Sequence, residues 1–177
     1  ILRVGVFARA DPILRNAAVV KSESSFLHIR SKSQPVDQET VMSKYKTEQI
    51  RNIVLVGHGA VGKTTLADLM LFKAGAATRA GSVDDGTSQL DIDDEERQRH
   101  FSISSSMVHF EHHGTRVNVI DTPGYPDFVG QAISALCAAE TALIVINASS
   151  GVEANTRRTF ELAGRAHLAR MLVVNKL

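Results

Sequence analysis

From residue 52 onward, short apolar runs alternate with longer segments of helical spacing. Three runs have the length and composition of buried strands, and they lie at residues 53–56, 142–148 and 171–174. Three segments have the spacing of amphipathic helices, and they begin near residue 63 and span residues 128–140 and 152–167. Such alternation predicts a parallel sheet covered by helices.

The first predicted helix is bounded by recognisable signals. It should begin near Lys63 and place Leu66, Leu69 and Met70 on one apolar face, with Gly75 available as its C-terminal stop. The polar residues 76–100 follow it, and a stretch of this length inside a compact domain is usually functional or mobile.

One antiparallel pair is expected. Residues 103–111 and 116–120 alternate between apolar and polar positions around the turn HHGT, which predicts a β-hairpin. The fold class is therefore α/β: a three-layer α/β/α sandwich with a mostly parallel sheet. Counted along the chain, the five strands should lie in the order 2-3-1-4-5, with the second strand antiparallel and at one edge. The sixth strand and last helix of such domains are missing from the pattern, so we expect the strand at 171–174 to have an uncovered apolar side.

The chain divides into two parts by composition. Residues 1–41 are rich in Ser, Gln, Pro and charge without a sustained period, which predicts a disordered extension or translated upstream sequence. Recurrent arginines among alanines would suit an organelle transit peptide, but acidic residues in the segment argue against it. Residues 42–177 should form one domain, and the apolar run before Leu177 suggests that it is incomplete at its C-terminus.

Composition removes several classes of function. With 20 basic and 19 acidic residues, the net charge of +1 gives no support for direct DNA binding. The single Cys137, interpreted as a buried apolar residue, excludes a disulfide framework and suits a reducing, cytoplasmic compartment. No run approaches the roughly 18 apolar residues of a membrane span. We expect a monomer without a membrane partner.

The segment GHGAVGKT, residues 57–64, carries the strongest chemical signal. It matches the phosphate-binding pattern G-x-x-x-x-G-K-[ST] between a predicted strand and a predicted helix, the context that the motif requires. Gly59 and Gly62 let backbone amides turn toward phosphate oxygens, and the helix adds its positive end. Lys63 should neutralise the β- and γ-phosphates, and Thr64 should bind Mg²⁺. A plain connecting turn is the alternative.

DTPG, beginning at Asp121, ends a predicted strand beside this phosphate loop. The carboxylate of Asp121 can hold a water bound to Mg²⁺. Gly124 allows the backbone to approach a γ-phosphate and to move when that phosphate leaves. An Asp-initiated turn without chemistry is the alternative. Asn175 and Lys176 lie at the end of the last strand, the edge at which α/β proteins bind ligands.

The phosphate loop, D-x-P-G and N-K, in this order, resemble those of translational GTPases, in particular elongation factor G and its paralogues. The resemblance covers roughly residues 45–177 and includes NIVLVGHGAVGKTTL, DTPGYPDFVGQ and VINASSGVEANT. It implies that Asn175 and Lys176 read guanine, although the family's pattern N-K-x-D stops here at x. The nucleotide-binding residues so implied are Gly57, His58, Gly59, Ala60, Val61, Gly62, Lys63, Thr64, Thr65, Asp121, Thr122, Pro123, Gly124, Asn175 and Lys176.

Two positions of the switch segments need comment. DIDDEERQRHFSI stands where the family has an acidic, E-x-x-R-containing run ending in Thr-Ile, so Ser102 takes the place of the Thr that binds Mg²⁺. Tyr125 departs from the family's His, which positions the attacking water. Its hydroxyl could orient that water, with Lys63 and Gly124 completing the catalytic group, or its ring could merely pack over the switch. These departures resemble the elongation factor G-like branch.

The resemblance implies a GTP-binding, GTP-hydrolysing translation factor that uses Mg²⁺ and acts on the ribosome in elongation. The alternatives are a guanine-nucleotide-binding module without turnover, a GTPase that recycles or protects ribosomes, and a phosphate-loop kinase or ATPase. Two other groups are candidates for chemistry. The cluster HFEHH at residues 109–113 suggests a metal site, and Arg97 and Arg99 could stabilise transition-state charge. A hairpin surface and a solvated loop are the corresponding structural interpretations.

Overall fold

The structure is a computed structural model, and its description covers residues 3–5, 44–90, 93–99 and 101–177. All of these except Lys44 belong to one compact unit. The strands are β1 Arg3–Gly5, β2 Ile50–Gly57, β3 Ser106–His112, β4 Thr115–Asp121, β5 Thr141–Asn147 and β6 Ala169–Asn175. The helices are α1 Lys63–Lys73, α2 Asp94–Arg99, α3 Val129–Leu136 and α4 Ala154–Arg165.

The strands form one sheet in the order β1-β6-β5-β2-β4-β3. Strand β2 pairs in parallel with both β4 and β5, β5 pairs in parallel with β6, and β3 pairs antiparallel with β4. The predicted order and the antiparallel hairpin are therefore confirmed. Because β2, β4, β5 and β6 are parallel, the segments that follow them emerge at the same edge of the sheet.

Strand β1 corrects two expectations. Its three residues belong to the segment that the sequence predicts to be disordered, and they pair antiparallel with β6 through Arg3↔Val174. The edge of β6, which the sequence predicts to be uncovered, is therefore paired with β1 along these residues. A strand of three residues is too short to show a period in the sequence. It is stabilised by backbone pairing with a distant partner, which a local pattern does not reveal. The rest of the 1–41 segment lies outside the described residues, and its disorder stays a prediction.

Two apolar cores lie on the two faces of the sheet, as a three-layer sandwich requires. One core packs α1 against the sheet around Leu55 and Leu66, and the other packs α3 and α4 around Val54 and Ile144. The predicted face of α1 is wrong at Leu69, which is 39% exposed. Its buried stripe comprises Leu66, Ala67 and Leu71, so Leu69 lies on the outer side.

Helix α3 is shorter than predicted. A 3₁₀ helix, Pro126–Phe128, precedes it, and α3 covers Val129–Leu136 rather than residues 128–140. Cys137 caps its C-terminal end and is exposed, not buried as expected. The polar stretch between α1 and the hairpin contains a turn at residues 83–86 and the short helix α2.

Candidate functional site

The phosphate loop connects the end of β2 to the start of α1. Ala60 and Gly62 have φ angles of +57° and +88°, so the backbone curls back before the helix begins. Asn175, at the end of β6, donates from Nδ2 to the Val61 carbonyl at 2.9 Å. A Cβ atom at Gly62 would lie 2.6 Å from that nitrogen. The end of β6 thus supports the loop from the side.

Lys63 is enclosed by the loop that it follows. Its side chain is 6% exposed, and Nζ donates to the carbonyl of His58 at 2.8 Å. Burial lowers the pKa of Lys63 below its ordinary value, while the negative charge of Asp121 opposes that lowering. A cation held this way favours an anion placed in the loop.

Three oxygen-bearing side chains meet beside the loop. Thr64 donates from Oγ1 to Oδ2 of Asp121 at 2.6 Å, and its hydroxyl lies 3.2 Å from that of Ser102. These residues come from the start of α1, the end of β4 and the segment after α2. The structure therefore brings together the three side chains proposed to hold a metal. Hydroxyl and carboxylate oxygens are the ligands that Mg²⁺ prefers.

Gly124 packs directly on the phosphate loop. A Cβ atom there would collide with Nζ of Lys63, and it would lie 2.5 Å from the His58 carbonyl oxygen and 2.7 Å from Cα of Gly59. Just before it, Thr122 donates to the Leu55 carbonyl at 2.7 Å, which ties the segment to β2. No residue with a side chain fits at position 124 without moving this backbone.

The ring of Tyr125 lies between two segments of the site. It makes an edge-to-face contact with Phe101, with the ring centroids 4.9 Å apart. It also covers Gly59, where a Cβ atom would lie 3.2 Å from Cζ of the tyrosine. Phe101 directly precedes Ser102, so the aromatic pair joins the segment after α2 to the segment after β4. Tyr125 remains 39% exposed at the cleft.

A buried carboxylate organises the segment after α2. Glu96 is 3% exposed, and its Oε1 accepts hydrogen bonds from the backbone amides of Ile103 and Ser104 at 2.8 and 3.0 Å. These bonds fix the backbone next to Ser102. The E-x-x-R pattern contains this residue, but nothing in the pattern indicates its role. Arg99 forms a pair with Glu95 at 2.7 Å, with both side chains more than half exposed.

These groups surround a cleft of about 400 Å³. The predicted site residues that line it are Gly59, Ala60, Gly62, Lys63, Thr64, Thr65, Ser102, Thr122, Gly124, Tyr125, Asn175 and Lys176. The predicted residues that do not line it are Gly57, His58, Val61, Asp121 and Pro123. His58 instead faces Glu153, with Nε2 and Oε1 3.6 Å apart. Val83, Asp84 and Phe101 also line the cleft, and none of the three was predicted as a site residue, although Phe101 lies within DIDDEERQRHFSI.

The side chains of the hairpin cluster at residues 109–113 are not grouped as three metal ligands. Within the described part of the chain, no group of three or more His, Cys, Asp or Glu side chains is placed to hold a metal ion. Glu111 accepts a hydrogen bond from the Tyr45 hydroxyl at 2.6 Å, and the rings of His112 and His113 contact each other edge to face.

The same described residues contain no helix with the length and apolar character of a membrane span.

A parallel sheet with a phosphate loop after its central strand, and with an acidic strand end beside it, defines a phosphate-loop nucleotide-binding domain. The family described as the elongation factor Tu GTP binding domain matches residues 48–177. The chain belongs to the translational GTPases, within the elongation factor G family.

Two similar proteins carry different names, one of an elongation factor and one of a resistance protein. The elongation factor G-like protein of Mycobacterium tuberculosis is 39% identical over 128 residues, 72% of this chain and 18% of that protein. The tetracycline resistance protein TetW of Butyrivibrio fibrisolvens is 36% identical over 129 residues, 73% of this chain and 20% of that protein.

Solved structures agree with the sequence comparison. The crystal structure of ttk003000868 from Thermus thermophilus matches with a TM-score of 0.71 and 41% identity, over 73% of this chain and 20% of that one. A bacterial selenocysteine-specific elongation factor matches with a TM-score of 0.51 and 25% identity, over 64% of this chain and 17% of that one. The chain therefore spans about one fifth of the length of these relatives.

Proposed function

We propose that the protein to which this chain belongs hydrolyses GTP with Mg²⁺ and uses the reaction for a conformational step on the ribosome. The observation that carries the proposal is the meeting of Lys63, Thr64, Ser102 and Asp121 at the phosphate loop. A buried cation and three hard oxygen groups in this arrangement suit a magnesium-bound polyphosphate.

Each residue of the group has a distinct role in the proposal. Lys63 and the loop amides bind the β- and γ-phosphates. The hydroxyls of Thr64 and Ser102 hold Mg²⁺ directly, and Asp121 holds it through water. When bound, the metal neutralises charge that develops on the phosphates. No covalent intermediate is required, because phosphoryl transfer to water depends on positioning and electrostatic stabilisation.

Tyr125 and Gly124 complete the proposed catalytic group. The Gly124 amide approaches the γ-phosphate, and the Tyr125 hydroxyl orients the attacking water. The contacts of the ring with Gly59 and Phe101 support a second role, in which the ring holds the two switch segments together. The two roles are separable, because a phenylalanine keeps the ring and loses the hydroxyl.

Guanine recognition is assigned to the end of β6. Asn175 and Lys176 line the cleft beside the phosphate loop. Because Asn175 also binds the Val61 carbonyl, base and phosphate recognition share one side chain. Loss of a hydrogen bond to the base would cost on the order of 1 kcal/mol.

Action on the ribosome is proposed from the relatives, whose names describe elongation factors and tetracycline resistance proteins. Elongation is the leading proposal, and recycling or protection of ribosomes is the alternative. We further propose a cytoplasmic monomer that does not bind DNA directly, in keeping with the near-zero net charge.

Nucleotide binding is tested by titrating the purified chain with fluorescently labelled GDP in Mg²⁺, followed by competition with unlabelled GDP or ADP. We expect GDP to displace the label and ADP to fail at the same concentration. A Lys63→Ala variant should lose binding, and Lys73→Ala, at the far end of the same helix, should keep it. Equal displacement by ADP would favour the kinase or ATPase alternative.

Hydrolysis needs a second measurement, since a binding module without turnover would pass the first. Phosphate release from GTP by the whole protein is followed with and without ribosomes. Stimulation by ribosomes is expected. Tight GDP binding with no release in either condition would leave the non-hydrolysing module as the function.

A further inference from the structure

A buried amide lies beneath the backbone of Gly124. Asn155, in the first turn of α4, is 4% exposed. Its Nδ2 donates to the Gly124 carbonyl at 2.8 Å and lies 3.5 Å from the Gly57 carbonyl. One side chain thus links the segment after β4, the end of β2 and the start of α4.

The chemistry of these partners requires a donor with two protons. Both partners of Nδ2 are carbonyl oxygens, which only accept hydrogen bonds, and a carboxamide nitrogen carries two N–H groups. An aspartate at this position would present oxygen to oxygen. The orientation of the Asn155 amide is therefore fixed by what surrounds it. The backbone of Asn155 is fixed as well, since its carbonyl accepts a hydrogen bond from Thr159 at 2.9 Å.

Gly124 is consequently held from two sides. On one side the phosphate loop leaves no room for a Cβ atom, with the His58 carbonyl at 2.5 Å from that position. On the other side Asn155 binds the carbonyl oxygen. The peptide that joins Gly124 to Tyr125 includes that carbonyl, so Asn155 also sets the direction in which the chain enters Tyr125.

We propose that Asn155 is a positioning residue of the nucleotide site. It holds the Gly124–Tyr125 peptide against the phosphate loop, which places the Gly124 amide and the Tyr125 ring for a nucleoside triphosphate. The effect on nucleotide binding rests on the proposed function, whereas the hydrogen bond itself does not.

The hydrogen bond can be observed directly, because Gly124–Tyr125 is the only Gly-Tyr peptide in the sequence. Labelling glycine with ¹³C at the carbonyl and tyrosine with ¹⁵N gives one cross-peak, which reports the Gly124 carbonyl. In a second wild-type sample, asparagine is labelled with ¹⁵N in its side chain. There we expect a scalar coupling across the hydrogen bond between Nδ2 of Asn155 and the carbonyl carbon of Gly124. In Asn155→Leu we expect the carbonyl resonance to move upfield.

The matched control is Thr156→Val. Thr156 follows Asn155 in α4, is 2% exposed, and its hydroxyl has no hydrogen-bond partner within the described structure. The replacement keeps the size and leaves Gly124 alone, so the Gly124 cross-peak should stay in place. Asn155→Gln keeps a donor and should restore part of the wild-type shift. An absent coupling in the wild type, or an unmoved resonance in Asn155→Leu, would overturn the proposal.

The positioning role is read from the ratio of affinities for a non-hydrolysable GTP analogue and for GDP. Loss of one hydrogen bond that serves the γ-phosphate should weaken analogue binding about fivefold and GDP binding less than about twofold. Thr156→Val should leave the ratio unchanged. An equal loss for both nucleotides would reduce Asn155 to a structural residue and refute the positioning role. If the wild-type chain bound neither nucleotide, the proposed function would fail, while the cross-peak would still decide whether the hydrogen bond exists.

Discussion

Gly62→Ala should weaken both the fold and the nucleotide site, for reasons that can be separated. Gly62 has φ +88°, and the left-handed region costs a residue with a Cβ atom about 1–2 kcal/mol. The new methyl group would lie 2.6 Å from Nδ2 of Asn175, which must leave the Val61 carbonyl. Loss of that hydrogen bond adds about 0.5–1.5 kcal/mol. The total loss in free energy of unfolding should be about 1.5–3.5 kcal/mol.

Gly75→Ala is the matched control. Gly75 follows α1 with φ +75°, and no atom lies within 4 Å of the position of its Cβ. It therefore carries the backbone cost without the collision. Urea unfolding followed by far-UV circular dichroism should show a loss about 1 kcal/mol larger for Gly62→Ala than for Gly75→Ala. Only Gly62→Ala should weaken GDP binding.

A double-mutant cycle identifies the partner in the collision. If the methyl group displaces Asn175, then Asn175→Ala and Gly62→Ala combined should cost less than the sum of the two single replacements. Equal losses for Gly62→Ala and Gly75→Ala, or strict additivity in the cycle, would refute the view that the end of β6 supports the phosphate loop.

Three further variants test other contacts of the site. Tyr125→Phe should lower ribosome-stimulated phosphate release about tenfold without changing GDP affinity, and unchanged release would leave only a packing role for the ring. Burial lowers the pKa of Lys63 in the folded chain below the 10.5 of the unfolded chain. The free energy of unfolding should therefore rise as the pH rises from the folded pKa to the unfolded pKa. The unfolded chain keeps its proton in this window and the folded chain loses it. Lys63→Met should remove the rise in urea unfolding measured across that window, and a slope equal to that of the wild type would contradict this assignment. Glu96→Gln should accelerate hydrogen exchange of the two backbone amides it binds by about tenfold or more, whereas the exposed control Glu95→Gln should not; equal rates in both variants would remove Glu96 as the anchor of this segment.

The parallel sheet and the phosphate loop could be predicted because their signals are local. A run of apolar residues indicates a buried strand wherever it occurs, and the loop motif contains its own glycines, lysine and threonine. Asp121 and Asn175 followed from the same reasoning, since the ends of parallel strands meet at one edge of the sheet.

Other features depend on contacts that no local pattern encodes. Glu96 binds backbone amides seven and eight residues further on, and Asn155 binds a backbone carbonyl 31 residues earlier. Either residue alone would be interpreted as an exposed polar side chain. The pairing of β1 with β6 joins segments about 170 residues apart. The prediction for Leu69 is wrong because several apolar residues compete for the buried stripe of α1, and packing selects among them.

The site depends on the order of the strands more than on any single motif. Strand β2 lies between β4 and β5, so the phosphate loop has Asp121 on one side and the start of α4 on the other. Asp121 meets Thr64 from the β4 side, and Asn155 meets Gly124 from the α4 side. Gly124 follows β4, and Asn155 lies in α4, which follows β5. The hydrogen bond between them therefore spans the phosphate loop after β2. A change of nucleotide that moved Gly124 would have to break this bond or carry it along, a contact that the stretch VINASSGVEANT, which contains Asn155, does not reveal.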